Sequence, residues 1–211
     1  MTEIYVAITD FFITFVCLGF TWMIWQYRHG NSPFVGIWIL FFLSIAFSSF
    51  FGGVVHGFFT NEASFYYQCL WIFTLLSIGV TAASCWILGG YYLFKIDRIF
   101  IWILFVILLY LPYSVIVIFF TQNYAVAMYN YLPALVFLLI ANLIVLKKDK
   151  KVFCLWIIAG ICISFLAAYI QQSQVSFSVN IHYNSVYHLI QVIALFMIFK
   201  GVTLQLPPKR T

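Results

Sequence analysis

Residues 34–59, FVGIWILFFLSIAFSSFFGGVVHGFF, decide the class of this chain. The stretch contains no Asp, Glu, Lys or Arg, and it exceeds the roughly 20 apolar residues that a helix needs to cross the hydrocarbon of a bilayer. Similar runs recur along the 211 residues, of which 65% are hydrophobic, 22% aromatic and 7% charged. A soluble globule would be unable to bury this much apolar surface, so we predict an all-α, polytopic membrane protein.

Seven apolar segments are predicted to cross the membrane as the helices of one bundle. Their predicted bounds are 4–26, 34–59, 66–93, 99–120, 124–146, 152–171 and 184–200. The polar stretches between the segments are too short to fold separately, and no internal repeat divides the chain. The sequence therefore predicts a single seven-helix transmembrane domain over residues 1–211.

The basic residues all fall on one side of the predicted bundle. They follow the first, third, fifth and seventh segments, at Arg28, Lys95, Arg98, Lys147, Lys148, Lys150, Lys151, Lys200, Lys209 and Arg210. Because basic residues that flank spans stay in the cytoplasm, this pattern predicts an outside N-terminus and a cytoplasmic C-terminus. The same sorting accounts for the net charge of +5 without a nucleic-acid partner.

The start of the seventh segment carries an unusual polar face. Asn184, His188 and Gln191 are four and three residues apart, so a helix places them on one side. Inside a bilayer there is no water to satisfy such groups, so they require partners within the protein. The sequence thus predicts that polar residues of other helices meet this face.

Two ionisable residues are predicted at the same level on other helices. Asp10 lies about 9 Å below the outer start of the first helix, and His56 lies about one turn from the outer end of the second. Ser49, two turns below His56, and Gly52 between them make a face of small residues that leaves room for a ligand or ion. With His188, these residues form a predicted first shell for zinc or a similar divalent metal, with an open position for a water.

Each candidate also has a purely structural interpretation. Asp10 is placed where it could begin the first helix at the membrane interface. His56 lies near a helix end, where its ring can bond a neighbouring carbonyl. His182 lies six residues before His188, off its helical face, as a loop residue would, and Tyr187 fits an outer aromatic belt.

The motifs together resemble a known superfamily. The segments TD at 9–10, GGVVHG at 52–57 and NSVYHLIQ at 184–191, set in seven spans, are similar to those of the membrane hydrolases that include alkaline ceramidases and the adiponectin and progestin receptors. The likeness is closest to a bacterial branch of that superfamily. It implies a seven-helix bundle in a bacterial inner membrane.

The resemblance also implies a metal site. Ceramidase-like members hold zinc with one histidine at the end of the second helix and two on the seventh, which implies metal roles for His56 and His188. Asn184 stands where the family has the first histidine of its seventh-helix pair. The third helix begins without the family's aspartate, and either Asp10 or His182 is expected to complete the shell.

The leading hypothesis is therefore a metal-dependent hydrolase that acts on a lipid amide or ester at the outer leaflet, with membrane lipids as its environment and substrate. The predicted roles are catalytic for Asp10, Ser49 and Asn184, metal-binding for His56 and His188, and supporting for His182, Tyr187 and Gln191. One alternative is a non-enzymatic receptor or binder of a lipid or small ligand. Another is haem ligation by two histidines, His56 and His188.

Overall fold

The computed structural model of the protein describes residues 2–27, 33–174 and 183–206, with only the backbone of residues 2 and 3. Within these ranges the chain forms seven helices and no strand. The helices are α1 (Thr2–Trp25), α2 (Pro33–Phe58), α3 (Phe65–Leu93), α4 (Ile96–Phe119), α5 (Tyr124–Asp149), α6 (Val152–Ser173) and α7 (Tyr183–Gln205). Each is long and apolar enough to cross a membrane, which confirms the predicted all-α bundle of seven spans.

Local sequence sets several helix ends. Pro33 is the first residue of α2, where its missing N–H costs nothing. Ser64 and Asn123 cap α3 and α5, because their side-chain oxygens accept hydrogen bonds from the N–H groups of the first turn. Lys150 and Gln174 adopt left-handed backbone conformations, with φ of 51° and 50°, where α5 and α6 end.

The helices form a ring of six with one helix outside it. Around the ring each helix packs on the next in the order α1, α2, α3, α5, α6, α7, and α7 returns to α1. The remaining helix, α4, packs on the outer side of α3. Much of its surface is exposed and apolar, as expected for a helix that faces lipid.

Aromatic side chains fill one half of this ring. Trp38, Phe41 and Phe42 of α2 are completely buried. Phe20 of α1 stacks on Phe199 of α7 with ring centroids 4.2 Å apart and planes within 7°. This packing closes the half of the bundle in which α2 begins.

Glycines allow two pairs of helices to approach closely. A Cβ at Gly160 of α6 would lie 2.6 Å from the carbonyl oxygen of Ala194 on α7, and one at Gly201 would lie 2.9 Å from that of Phe153 on α6. On α3, a Cβ at Gly79 would overlap the ring of Tyr113 from α4. Small residues at these points bring the backbones or rings of neighbouring helices into direct contact.

Candidate functional site

A cavity of about 370 Å³ lies inside the ring. It occupies the half of the bundle that contains the C-terminus of α2 and the N-termini of α3, α5 and α7, which we call the cavity end. The described residues that line it come from the six ring helices and not from α4. The ring therefore encloses a space that the aromatic packing of the other half leaves open.

Asp10 of α1 and His188 of α7 meet at the wall of this cavity. The carboxylate oxygen Oδ1 of Asp10 lies 3.3 Å from Nε2 of His188, and the contact is an ion pair when the imidazole is protonated. Asp10 is 6% exposed and His188 is 9% exposed. The Asp10 carboxylate and the His188 imidazole therefore give each other a polar partner where water is largely excluded.

The Thr9 hydroxyl contacts the other ring nitrogen of His188. Its hydroxyl oxygen lies 2.9 Å from Nδ1 of His188, and it also donates toward the carbonyl oxygens of Val6, at 2.9 Å, and Tyr5, at 3.0 Å. Two consecutive residues of α1 therefore contact the two ring nitrogens of one α7 histidine. This arrangement fixes the orientation of the His188 ring.

A pair of glycines on α2 makes room for Asp10. A Cβ at Gly52 would lie 3.5 Å from Oδ2 of Asp10, which is ordinary contact. A Cβ at Gly53 would lie 3.1 Å from Cβ of Asp10 and 3.3 Å from the carbonyl oxygen of Ala7, which is tight. These glycines let α1 and α2 approach closely at the level of the carboxylate.

His56 and Ser49 of α2 line the same cavity. The His56 ring is half-buried and meets Trp71 of α3 edge to face, with centroids 6.3 Å apart and planes at 79°. Trp71 in turn donates from Nε1 to the carbonyl oxygen of Gln122 at 2.8 Å. His56 is therefore positioned against the aromatic wall of α3.

The polar face of α7 also lines the cavity, through Asn184, Tyr187, His188 and Gln191. Gln191 donates from Nε2 to Oγ of Ser164 on α6 at 3.1 Å. His188 of the same face contacts Asp10 and Thr9 of α1. At least two groups of this face thus have partners on neighbouring helices.

The metal site stays a prediction. In the described part of the chain, no group of three His, Cys, Asp or Glu side chains is placed to hold an ion. Asp10 and His188 supply two adjacent ligand types, whereas His56 does not complete a group of three with them. His182 lies outside the described residues. Haem ligation also stays a prediction, and it would require His188 to release Thr9 or Asp10.

Several cavity or partner residues were not predicted from the sequence. They are the ring contact Thr9, the wall residues Trp71, Tyr124 and Gln171, and the α6 partner Ser164. All of these residues except Ser164 lie near the terminus of their helix at the cavity end. That position is a signal from which their place at the site could have been predicted. A hydroxyl in mid-membrane is too common in helix packing to identify Ser164 alone.

The Gln191–Ser164 hydrogen bond gives a prediction for the α6–α7 contact. We expect Gln191→Ala and Ser164→Ala each to destabilise the protein, with a coupling of about 0.6 kcal/mol and at most about 1.7 kcal/mol. A double-mutant cycle of thermal unfolding measures this coupling. Additive effects of the two substitutions would show that the hydrogen bond does not form.

Comparison with known proteins places the whole bundle in one family. A family model that is described as a family of unknown function matches residues 5–206 and so includes all seven helices. No curated protein and no solved structure matches the chain.

Proposed function

Since this chain belongs to the DUF6962 family of unknown function, we propose its function from the cavity: the protein binds a small polar molecule, or the polar head of a lipid, inside its ring of membrane helices. One observation carries this proposal. A buried carboxylate and imidazole, Asp10 and His188, lie together on the wall of an open space of about 370 Å³.

Three physical arguments support binding over a structural role. Protein interiors are close-packed, so a bundle that required only stability would be expected to fill this space with apolar side chains. Ionisable groups inside a membrane are costly and usually face a cavity or another functional path. The cavity volume also lies within the usual range for small-molecule sites, about 300–1,000 Å³.

The binding proposal is tested with the purified protein in phosphatidylcholine nanodiscs. Small uncharged, cationic and anionic molecules are added in turn, and the unfolding temperature is measured. We expect one class to raise the unfolding temperature by roughly 5–10 °C at a concentration about 100 times its Kd. Asp10→Asn should reduce this shift, since it alters the carboxylate on the cavity wall. Absence of a shift with all three classes would contradict the proposal.

We propose that the cavity end faces away from the cytoplasm, in a bacterial inner membrane. The basic residues near the ends of α3 and α5, including Lys95 and Lys147, lie at the opposite end of the bundle. A green fluorescent protein fused to the C-terminus should therefore fluoresce, because it folds in the cytoplasm. An alkaline phosphatase fusion at the same position should be inactive, and the reverse pair of results would contradict this orientation.

Hydrolysis of a lipid ester or amide is the second candidate, and the adjacent carboxylate and imidazole of Asp10 and His188 favour it. These are two of the ligand types that zinc takes, and the two residues would hold a metal ion together if one bound here. Thr9 on the opposite ring nitrogen matches the outer partner that metal-binding histidines usually have. A third described ligand is missing, so we assign no step to an ion.

The side chains suggest one hydrolytic step of their own. The Asp10 carboxylate would take a proton from a cavity water as the water oxygen bonds to the substrate carbonyl carbon. The acyl C–O or C–N bond would then break, and the protonated Asp10 would return that proton to the departing alcohol or amine. His188 would stabilise the carboxylate before the transfer. Release of fatty acid from lipid esters and amides, measured together with stoichiometric metal content, tests this candidate. Cleavage that persists in Asp10→Ala would contradict it.

A further inference from the structure

The side chains around the cavity restrict the chemistry of its ligand. Among the described residues that line it, four are aliphatic: Val6, Ile13, Ile45 and Ile78. The others, apart from Gly52, are aromatic or carry hydroxyl, carboxamide, imidazole or carboxylate groups. Most of the surface that these side chains expose to the cavity is apolar and much of it is aromatic, so the lining suits a ligand that carries C–H faces together with polar groups.

Charge excludes one class of ligand. No Lys or Arg is found among the described lining residues, whose ionisable groups are Asp10, His56 and His188 besides the phenols. A phosphate, sulfate or carboxylate ligand would therefore enter a low-dielectric space beside a carboxylate without a permanent cation to pair with it. An ammonium ligand would bring a second positive charge to a carboxylate that already forms an ion pair with His188 when the imidazole is protonated. An uncharged ligand meets neither difficulty.

The second carboxylate oxygen of Asp10, Oδ2, indicates that the ligand should carry a hydrogen-bond donor. Oδ1 faces His188, and Oδ2 is the carboxylate oxygen nearer to Gly52, 3.5 Å from a Cβ built there against 3.8 Å for Oδ1. Within the described ranges, His188 is the polar side chain that contacts this carboxylate, although Asp10 is only 6% exposed and lines the cavity. A carboxylate accepts several hydrogen bonds, so Oδ2 calls for a donor from the ligand.

The remaining walls fit a molecule with many hydroxyl groups. Gln171, Gln191 and Asn184 offer both amide donors and carbonyl acceptors, and the tyrosine hydroxyls add further groups of both kinds. The aromatic rings of Trp71 and Tyr124 provide apolar surface for C–H groups. A cavity of about 370 Å³ lies near the lower end of the usual range for small-molecule sites, about 300–1,000 Å³, which suits a ligand of the size of one sugar ring.

We propose that the cavity binds an uncharged polyol of the size of a single sugar ring, one hydroxyl of which donates to Oδ2 of Asp10 beside Gly52. This inference rests on the proposed binding function and specifies its ligand class. The polyol is either a free molecule or the head of a glycolipid, because both present the same hydroxyl groups. Gly52 then determines specificity, since a side chain there would cover the acceptor oxygen.

The ligand class is tested in phosphatidylcholine nanodiscs with three amphiphiles that share one alkyl chain and carry a glucoside, a trimethylammonium or a phosphate head. Free glucose and inositol form a fourth arm that separates a soluble polyol from a lipid head group. We expect the glucoside or a free polyol to bind at least tenfold more tightly than the charged amphiphiles. Tighter binding of either charged head would overturn the ligand class and leave the binding function standing. No binding in any arm would overturn both.

Gly52→Ala tests the contact with Asp10. Its new methyl group would be in ordinary contact with Oδ2, so we expect a folded protein whose affinity for the polyol falls by roughly 10- to 100-fold. Gly36→Ala on the same helix is the matched control, because a Cβ there meets no atom within 4 Å and the affinity should not change. Unchanged affinity in Gly52→Ala would overturn the proposed contact. If that variant fails to fold, the comparison of head groups in wild-type protein decides the proposal.

Discussion

Replacement of His188 by alanine is expected to destabilise the protein by about 3–5 kcal/mol. The substitution removes the His188 partner of Asp10, a residue that is 6% exposed, and leaves its carboxylate buried. It also removes the partner of the Thr9 hydroxyl. Thermal unfolding of the purified protein should therefore shift down by roughly 6–20 °C, at about 2–4 °C per kcal/mol for a chain of this size.

Two further variants identify the cause of this loss. Leu189→Ala changes the adjacent residue, whose side chain is 50% exposed, and it should lower stability by far less. The double variant Asp10→Asn/His188→Ala should be less destabilised than the sum of its single substitutions, because the buried charge is absent. Additive effects, or a loss below about 1 kcal/mol for His188→Ala, would mean that the two side chains do not form a pair.

Gly160→Ala is expected to destabilise the bundle by roughly 3 kcal/mol. The added Cβ would lie 2.6 Å from the carbonyl oxygen of Ala194 and 3.0 Å from the amide nitrogen of Ile198. These are backbone atoms of α7, so rotation of a side chain cannot relieve the overlap, and α6 and α7 must move apart. Gly201→Ala is expected to act in the same way through Phe153 and Ile157.

Alanine at two other glycines controls for helix propensity. A Cβ at Gly19 of α1 or Gly36 of α2 meets nothing within 4 Å. Since alanine is the better helix former, Gly19→Ala and Gly36→Ala should leave the unfolding temperature unchanged or raise it. The close contact of α6 with α7 would be contradicted if Gly160→Ala behaved like these controls.

Hydropathy along the sequence predicted all seven helices, but it placed the C-terminal ends of two of them too early. Six of the predicted starts agree within two residues with those of the structure, while α5 and α7 continue past the predicted 146 and 200 to Asp149 and Gln205. Lys147 and Lys148 occupy the extension of α5, and Thr203 and Gln205 occupy that of α7. The prediction marks where apolar sequence ends, whereas hydrogen bonding continues the helix into the polar region of the membrane.

The sequence predicted the depth of the candidate site in the membrane, but it did not predict which of its side chains contact each other. Asp10, His56 and His188 were assigned to one level from helix length alone, and all three line the cavity. That Asp10 rather than His56 contacts His188 depends on which faces of α1, α2 and α7 turn inward. The spacing of residues in the sequence shows which of them share a face of one helix. It does not show how that helix is rotated about its axis relative to its neighbours.

The order of the helices around the ring also could not be predicted from the sequence. Loops of similar length join α3 to α4 and α4 to α5, yet α3 contacts α5 directly and α4 lies outside. Glycines on α3 make room for rings of both neighbours, with Phe137 of α5 at Gly89 and Tyr113 of α4 at Gly79. Consequently the cavity contribution of Tyr124 and Gln171 became evident only with the helices assembled.

The central claim is that the first and seventh helices bring Asp10 and His188 together on the cavity wall. It is tested most directly by cysteine cross-linking in membranes, with Asp10→Cys/His188→Cys in a background where the five native cysteines are replaced by alanine. A short bifunctional thiol reagent should join positions 10 and 188 efficiently, and it should join positions 10 and 189 poorly in the control pair, because Leu189 is half exposed on another face of α7. Equal cross-linking of the two pairs, or preference for position 189, would contradict the account.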